Sequence, residues 1–341
     1  MTTTDRRFLG CARNDRGKDG NDGRKDGNDG RKDGNDGNDG RKDGNDRGKD
    51  GNDGQSCIFS VKIVYLRNMD MPLNQSILID TEAVVRKVNH GKLLPRPVMS
   101  FIRKLVHEED FNRNFSKGKV GPDFIDCFFE DINVTLEIIG GGNIPKEGLF
   151  TFASNHPLGG ADAGLEVGWL ARKYNDKVIT PANSFLLHIK QLAHYLIPVN
   201  KMGGQPRELA GLLNEAFHSD RQVLYFPAGA CSRKVNGIIT DLEWKKTFIT
   251  KSRETKRNII PIWFSGQNSK RFYRIAAFRK FFKIKLNLEM FTLPDELFRY
   301  RGQHFKMVIG KPIPYGTFTS EKTDVQWAQY VKDQVYALKQ D

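Results

Sequence analysis

Seven short apolar runs alternate with segments of helical spacing along most of the chain, and this alternation limits the possible fold more than any other feature. The runs are rich in β-branched and aromatic residues, which favours strands. They lie at 133–140, 149–154, 177–182, 196–200, 222–228, 258–266 and 305–310. Strands that alternate with helices form a sheet covered on both faces. We therefore expect an α/β fold, a single domain with a mostly buried mixed sheet flanked by helices.

The segments between these runs carry their own signals for helices. Pro206 suits the first position of a helix, and Asp241 suits an N-cap. The predicted helices cover 162–175, 183–194, 206–218, 241–256, 270–282 and 321–339. Upstream, residues 97–111 place Phe101, Leu105 and Val106 at helical spacing, which predicts an amphipathic helix in an N-terminal extension.

The beginning of the chain is a low-complexity repeat. Residues 14–54 repeat variations of RKDGNDGNDG and contain no apolar side chain to bury, so we expect disorder. A calcium site is disfavoured because no Asp-rich loop closes with a glutamate. Translation from Met69 or Met71 is an alternative start. The predicted divisions are a disordered repeat at 1–56, an extension with an amphipathic helix at 57–120 and the α/β domain at 121–341.

The chain is strongly basic, with 54 Lys and Arg against 41 Asp and Glu and a net charge of +13. The basic residues of the repeat are nearly balanced by aspartate, so the surplus belongs to the rest of the chain. Such a surface favours an anionic bilayer, a phosphate-bearing substrate or nucleic acid. The sequence has no zinc-finger spacing, RNA-binding signature or long basic arm, which disfavours nucleic acid. A basic binding protein without catalysis is the alternative to an enzyme.

The four cysteines are far apart and form no CxxC pair: Cys11, Cys57, Cys127 and Cys231. This spacing fits a reducing compartment and argues against a disulfide scaffold and a zinc site, so we expect no metal. The start, MTTTDRRFLGCARND, lacks the apolar core of a secretory signal, and no apolar run is long enough to span a bilayer. We therefore expect a cytoplasmic protein without a transmembrane helix.

One loop carries the most specific chemical signal. Residues 154–164, SNHPLGGADAG, place His156 and Asp162 on either side of a turn between a predicted strand and a predicted helix. The carboxylate can fix the tautomer of the imidazole and stabilise the imidazolium that forms when histidine accepts a proton. Backbone N–H groups around Gly159 and Gly160 can receive developing negative charge. Alternatively, Asp162 caps the helix and His156 is a polar loop residue.

Two further strand ends carry basic residues. FPAGACSRK at 226–234 ends in Arg233 and Lys234, which can hold a phosphate or a carboxylate. PVNKMGG at 198–204 offers Lys201 beside two glycines. Strand ends of an α/β sheet share one edge, where ligands commonly bind. Solvated basic turns are the alternative for both segments.

Four segments occur in the order of the four sequence blocks of the glycerolipid (lysophosphatidate-type) acyltransferase superfamily: NHPLGGAD, PVNKMGG, FPAGACSRK and IIPIWFSG. The run from about Ile77 to Ile313 resembles the bacterial hemolysin-like branch, which includes O-acyltransferases of ornithine and glycine lipid synthesis. The resemblance implies transfer of a fatty acyl group from a thioester of acyl carrier protein or coenzyme A to the hydroxyl of a lysolipid. It implies no cofactor beyond that co-substrate.

The resemblance also implies roles for individual residues. His156 matches the catalytic base, Asp162 matches the carboxylate that orients it, and Pro261 matches the fourth block. The block that binds the acceptor head group is matched by Phe226, Pro227, Gly229, Ser232 and Arg233. The predicted substrate-binding set is completed by Asn155, Gly159, Gly160, Lys201 and Lys234.

Two departures from the family pattern bear on the reaction. Five residues separate His156 from Asp162 where the superfamily usually has four, so the Gly pair must absorb an extra residue. The third block usually carries glutamate where this chain has Ala228. Loss of that carboxylate weakens the case for lysophosphatidate and leaves room for a lyso-aminolipid, whose carboxylate Arg233 can bind equally well, so both lysolipids stay open as acceptors.

Cys231 raises the alternative of a covalent acyl-cysteine, although a lone cysteine in an apolar loop is more often a packing residue. We expect direct transfer.

Contact with a membrane is predicted from RIAAFRKFFKIK at 274–285. It mixes Phe278, Phe281 and Phe282 with basic side chains, a composition that suits the interface of an anionic bilayer. The alternative is a core helix whose charges face solvent. The helix near Phe101 is a second candidate. We expect peripheral association with the inner face of the cell membrane.

Overall fold

The structure is a computed structural model. It describes residues 79–88, 91–183, 186, 189–199, 206–284 and 287–340. Several predictions lie outside the described residues: the repeat at 1–56, the first part of the extension, the starts at Met69 and Met71, and Lys201.

A seven-stranded mixed sheet lies at the centre of the described residues. In chain order the strands are β1 (Thr135–Ile139), β2 (Phe150–Ser154), β3 (Val178–Asn183), β4 (Leu196–Val199), β5 (Gln222–Tyr225), β6 (Arg233–Val235), β7 (Ile238–Thr240), β8 (Asn258–Phe264) and β9 (His304–Ile309). The sheet order is β1-β9-β8-β2-β5-β3-β4, and β6 and β7 form a separate hairpin. Within the seven-stranded sheet, all neighbouring strands are parallel except β8 and β9. The predicted α/β class and all seven predicted strands are confirmed.

Helices pack around this sheet. They are α1 (Thr81–Val88), α2 (Arg96–Leu105), α3 (Glu108–Phe115), α4 (Gly121–Asp131), α5 (Ala161–Lys173), α6 (Pro206–His218), α7 (Thr247–Glu254), α8 (Lys270–Phe281), α9 (Leu293–Arg299) and α10 (Asp324–Ala337). The predicted helices at 162–175, 206–218, 270–282 and 321–339 are confirmed as α5, α6, α8 and α10. The division of the chain at 57 and 121 stays a prediction.

Three predicted helices are wrong in extent. In the one at 183–194, Asn183 belongs to β3 and pairs with Val199, and Lys190–Tyr195 form a 3₁₀ helix. Residues 184, 185, 187 and 188 of that segment lie outside the described residues. The one at 241–256 is reduced to α7, and Asp241 does not cap it because its carboxylate is buried in other contacts. The one at 97–111 breaks into α2 and α3 at His107, whose φ is 52°.

The core lies on both faces of the central strands. Successive residues of a strand point to opposite faces. Along β8, Ile260 packs in a cluster with residues of α4 and α5, whereas Ile259 packs with residues of α7 and α10. Every residue of β2 is buried. The central strands are therefore held from both sides, and the loops at their carboxyl ends start from fixed points.

The other edge of the sheet, formed by the amino-terminal ends of the parallel strands, contains a buried arginine. Arg257 directly precedes β8, and its guanidinium donates hydrogen bonds to the carbonyls of Phe217 (2.8 Å), Arg221 (2.8 Å) and Ser219 (2.6 Å). Burial lowers the pKa of Arg257 to about 10. This guanidinium ties the start of β8 to the segment that leads into β5.

Candidate active site

The loop after β2 is anchored before it reaches the predicted histidine. Asn155 is buried, and its amide donates to the carbonyl of Phe264 (2.9 Å) and accepts from the N–H of Phe264 (2.6 Å). These two bonds attach the end of β2 to the end of β8. They give Asn155 a structural task, and its predicted contact with substrate stays a prediction.

His156 and Asp162 are in direct contact. The imidazole Nδ1 lies 3.1 Å from Oδ2 of Asp162, and the His156 side chain is 15% exposed whereas Asp162 is completely buried. Because a carboxylate only accepts, Nδ1 carries the hydrogen and Nε2 keeps its lone pair. The ring packs on Phe226, with 4.3 Å between centroids. The imidazole is therefore fixed in orientation, and its Nε2 makes no hydrogen bond to the residues that the structure describes, so it can bind a ligand.

The extra residue between this pair is taken up by the turn. Gly159 adopts φ +88°, in the left-handed region, and a Cβ there would lie 2.6 Å from Sγ of Cys231. Asp162, the second residue of α5, accepts from the N–H groups of Leu158 (2.9 Å) and Ala163 (2.8 Å). Glycine is the residue that fits this tight turn. The turn takes up the extra residue, so the two side chains still meet.

The hydrogen bonds around Asp162 keep it ionised. Burial alone would raise the pKa of its carboxyl, but the charge and hydrogen bond of His156, with the N–H groups of Leu158 and Ala163, bring the pKa below its usual value. An ionised aspartate stabilises an imidazolium beside it. The pair is therefore suited to accept a proton at Nε2 of His156.

A second carboxyl group lies one helical turn further along α5. Glu166 is completely buried, and burial together with the charge of Asp162 raises its pKa well above the usual value. Ser154 donates to Oε1 of Glu166 at 2.8 Å. Among the described residues, Oε2 has no hydrogen-bond partner. Burial thus favours the neutral form of Glu166, whose carboxyl group lies one helical turn from the ionised Asp162.

The loop after β5 is joined to the histidine loop through Asp241. This buried carboxylate accepts from the N–H of His156 (3.2 Å) and the hydroxyl of Ser232 (2.6 Å) through Oδ1, and from Nε1 of Trp244 (3.0 Å) through Oδ2. The N–H of Ser232 donates to the carbonyl of His156 at 2.7 Å. Burial raises the pKa of Asp241, the hydrogen bonds opposing it. The two predicted loops therefore form one unit.

The rest of the second loop turns sharply next to the histidine. Gly229 has φ +64°, and its N–H donates to the carbonyl of Phe226 at 2.9 Å. The carbonyl of Pro227 accepts from the N–H of Lys245 at 3.1 Å. This turn fixes the Phe226 ring against the imidazole, while Gly160 is exposed at the start of α5.

The basic residues of this block differ in environment. Lys234 is exposed on β6, whereas the Arg233 side chain is only 13% exposed. Nη2 of Arg233 donates to Oε1 of the buried Glu289 at 2.9 Å, and Nη1 donates to the carbonyl of Cys231 at 2.7 Å. Arg233 thus lies at the site already paired with an internal carboxylate.

The other residues singled out from the sequence are buried in the interior. Cys231 and Ala228 are buried. Pro261 lies within β8, beside Ala153 of β2.

Three acidic residues of the site were missed by reading the sequence: Glu166, Asp241 and Glu289. Glu166 follows Asp162 by four residues, so helical spacing could have indicated that the two share a face. Asp241 was interpreted as a helix cap. Glu289 lies in the 3₁₀ helix Leu288–Thr292, and nothing in its neighbours along the chain points to Arg233.

Neither a metal-binding group of side chains nor a membrane-spanning helix occurs in the described part of the chain. It contains no group of three His, Cys, Asp or Glu side chains able to hold a metal ion. None of its helices combines the length and the apolar character needed to cross a membrane.

Known proteins with similar sequences are acyltransferases. The family model described as acyltransferase matches residues 84–341. A lyso-glycine lipid O-acyltransferase of Bacteroides thetaiotaomicron is 45% identical over 266 residues, which cover 76% of this chain and 97% of that protein. One from Phocaeicola vulgatus is 45% identical over 267 residues, 76% of this chain and 95% of that protein.

Among solved structures, the 1-acyl-sn-glycerophosphate acyltransferase PlsC from Thermotoga maritima is similar at 16% identity and a TM-score of 0.42, over 83% of this chain and 98% of that one. The assignment rests on the sequence matches, which span most of the chain and nearly all of both bacterial relatives. The chain therefore belongs to the glycerolipid acyltransferase superfamily and is an acyltransferase.

Proposed function

We propose that this protein transfers a fatty acyl group from an acyl thioester to the hydroxyl of a lyso-aminolipid, with His156 as general base. The observation that carries the proposal is the 3.1 Å contact between Nδ1 of His156 and the buried Asp162, beside the turn that bears Arg233. The names of the two bacterial relatives support a lysolipid acceptor.

In this mechanism Nε2 of His156 accepts the proton of the acceptor hydroxyl as its oxygen attacks the thioester carbonyl. A tetrahedral intermediate forms and then expels the donor thiolate, which takes up the proton from the imidazolium and leaves as the thiol. Asp162 stabilises that imidazolium, and assistance of this kind is worth about 10²–10⁴-fold in rate. In the first turn of α5 the N–H of Ala163 donates to Asp162 and that of Gly164 donates to the carbonyl of Gly160. The N–H groups of Ala161 and Asp162 are the ones that can stabilise the oxyanion.

The acceptor follows from the head-group block. Ala228 stands where a glutamate would accept a hydrogen bond from a glycerol-type hydroxyl, and Arg233 offers a guanidinium suited to a carboxylate. A lyso-glycine lipid, the substrate named for both relatives, has such a carboxylate. The donor, carried by acyl carrier protein or coenzyme A, is a co-substrate, so the reaction requires no resident cofactor.

Purified protein incubated with an acyl thioester and candidate lysolipids tests this function. We expect mass spectrometry to detect the O-acylated lyso-glycine lipid, in larger amount than phosphatidate formed from lysophosphatidate under the same conditions. Donors on acyl carrier protein and on coenzyme A are compared in parallel. Absence of acylated product with every donor and acceptor would refute the proposal.

We also propose that α8 docks on an anionic bilayer, at the cytoplasmic face of the cell membrane. Its inner side buries Phe272, Tyr273 and Ala276, whereas Phe278, Phe281 and Phe282 are exposed, Phe281 by 80%. The exposed basic residues beside them are Arg274, Lys280 and Lys283. Exposed aromatic rings among cations suit the region where acyl chains meet anionic head groups. Lys285 lies outside the described residues.

Vesicle sedimentation tests this docking. Replacing both Lys280 and Lys283 by glutamine should weaken binding to vesicles containing phosphatidylglycerol by about thirtyfold at low salt, since each basic residue near such a surface contributes roughly 1 kcal/mol. The matched control is Lys177→Gln, an exposed lysine paired with Asp220. Equal binding to neutral vesicles at high salt would count against electrostatic docking.

A further inference from the structure

A fully buried glutamate lies between two arginines behind the catalytic loops. Oε1 of Glu289 accepts from Nη2 of Arg233 at 2.9 Å, and Oε2 lies 2.9 Å from Nε of Arg279 as an ion pair rather than an aligned hydrogen bond. Arg233 opens β6 and Arg279 lies near the end of α8. Glu289 therefore joins the head-group block to α8, the helix between β8 and β9.

The backbone next to Arg233 is hydrogen-bonded to the histidine loop. The preceding residue, Ser232, donates its N–H to the carbonyl of His156 at 2.7 Å. The guanidinium lies over the Phe272 ring, 5.1 Å from its centroid. A guanidinium has five N–H donors, and the hydrogen bonds to Cys231, Ser232 and Glu289 use three of them within the described part of the chain. Donors thus remain for a ligand.

The charges of this cluster do not cancel. Two guanidinium groups and one carboxylate leave one net positive charge, in a place where Glu289 is completely buried and Arg233 is 13% exposed. Charges shielded from water interact more strongly than surface charges. A single negative charge on the ligand matches this cluster, whereas a second would face the Glu289 carboxylate without a partner.

We propose that Glu289 is a specificity-determining residue, which makes the site select a lysolipid with a singly charged carboxylate over one with a phosphate monoester. This inference rests on the proposed transfer to a lysolipid. A phosphate monoester carries about −1.5 to −2 charges at pH 7, so its extra charge is repelled by Glu289. Discrimination here comes from repulsion of the wrong head group as well as attraction of the right one.

Glu289→Gln tests the proposal because it keeps the size of the side chain and removes its charge. The measurement is kcat/KM for lyso-glycine lipid and for lysophosphatidate, each in mixed micelles with the same acyl thioester. We expect the ratio of lysophosphatidate to lyso-glycine lipid to rise about tenfold over the wild type. A ratio is informative because general damage to the fold lowers both rates together.

Arg279→Gln provides the opposite change. It removes a positive charge and leaves Glu289 paired with Arg233, so the same ratio should fall below that of the wild type. This variant decides the question if Glu289→Gln does not fold. The matched control is Glu254→Gln on α7, an exposed glutamate paired with Lys251, which should leave the ratio unchanged.

The outcomes separate this inference from the proposed function. If the wild type acylates neither lipid, the function itself fails. If the wild type is active and folded Glu289→Gln keeps the wild-type ratio, the assignment of specificity to Glu289 is overturned, and so it is if Arg279→Gln raises the ratio.

Discussion

The two edges of the central sheet both bury ionisable groups, but they use them differently. At the edge where the parallel strands begin, the guanidinium of Arg257 donates to the backbone carbonyls of Phe217, Ser219 and Arg221. At the edge where they end, Asp162 contacts a histidine that is 15% exposed, and Oε2 of Glu166 has no partner within the described residues. At the first edge, which we call the saturated edge, the guanidinium bonds to fixed backbone carbonyls. At the second edge, side chains keep atoms that can still form hydrogen bonds.

This contrast separates stability from chemistry. A buried charge surrounded by carbonyls holds chain segments together, and loss of the charge leaves those carbonyls without partners. A buried carboxylate beside a partly exposed imidazole holds a proton acceptor ready for a ligand. Substitutions at the first edge should therefore change folding with little effect on the rate per folded molecule, and conservative substitutions at the second should do the reverse.

The largest effect is expected at the catalytic edge. Asp162→Asn should lower kcat about 10²–10³-fold, because an amide can donate to Nδ1 of His156 and favour the wrong tautomer. The carboxylate also adds stability above its unfolded pKa near 3.8, and this contribution is lost as pH falls through the lowered folded pKa. Steady-state assays at neutral pH, with circular dichroism for the fold, check the prediction. A rate within twofold of the wild type would contradict it.

At the saturated edge, Arg257→Met should lower the free energy of unfolding by about 3 kcal/mol, because several buried carbonyls lose their donor. Urea unfolding measures this loss, and the rate per folded molecule should stay within about twofold. The matched control is Arg86→Met on α1, an exposed arginine paired with Glu82. A loss of rate without a loss of stability at Arg257 would remove the contrast between the edges.

A smaller effect that depends on pH is expected at Glu166. The pKa of Glu166 is raised in the folded state, so the folded protein holds a proton that the unfolded chain releases above about pH 4.5. The wild type therefore loses stability as the pH rises from about 4.5 through the folded pKa. Glu166→Gln mimics the neutral form. The free energy of unfolding of the variant, relative to that of the wild type, should therefore increase with pH in urea titrations between pH 4 and 8. A difference that does not change with pH would contradict the raised pKa of Glu166.

The smallest effect is expected at Cys231. Cys231→Ser keeps a small side chain beside Gly159 and should change kcat by less than about threefold, because direct transfer forms no acyl-cysteine. Loss of rate comparable to that of Asp162→Asn, with acyl-enzyme trapped in the wild type, would overturn direct transfer.

The sequence predicted the strands well because their apolar runs are local signals. It also placed His156 and Asp162 on one turn, since both lie within a few residues of a strand end. It could not predict the partners of Asp241 and Glu289, which meet His156, Ser232 and Arg233 only after distant segments pack together. Among the described residues, the predicted helix at 183–194 was wrong at its first residue, because Asn183 pairs with Val199 in the sheet and such a pairing is not a local signal.

The most direct test of the account is the acylation rate of His156→Ala with lyso-glycine lipid as acceptor. We predict a loss of about 10³–10⁴-fold with a melting temperature within about 2 °C of the wild type, since the imidazole is the proposed base and Asp241 still holds the backbone at position 156. A folded variant that acylates the lipid at the wild-type rate would contradict the central claim.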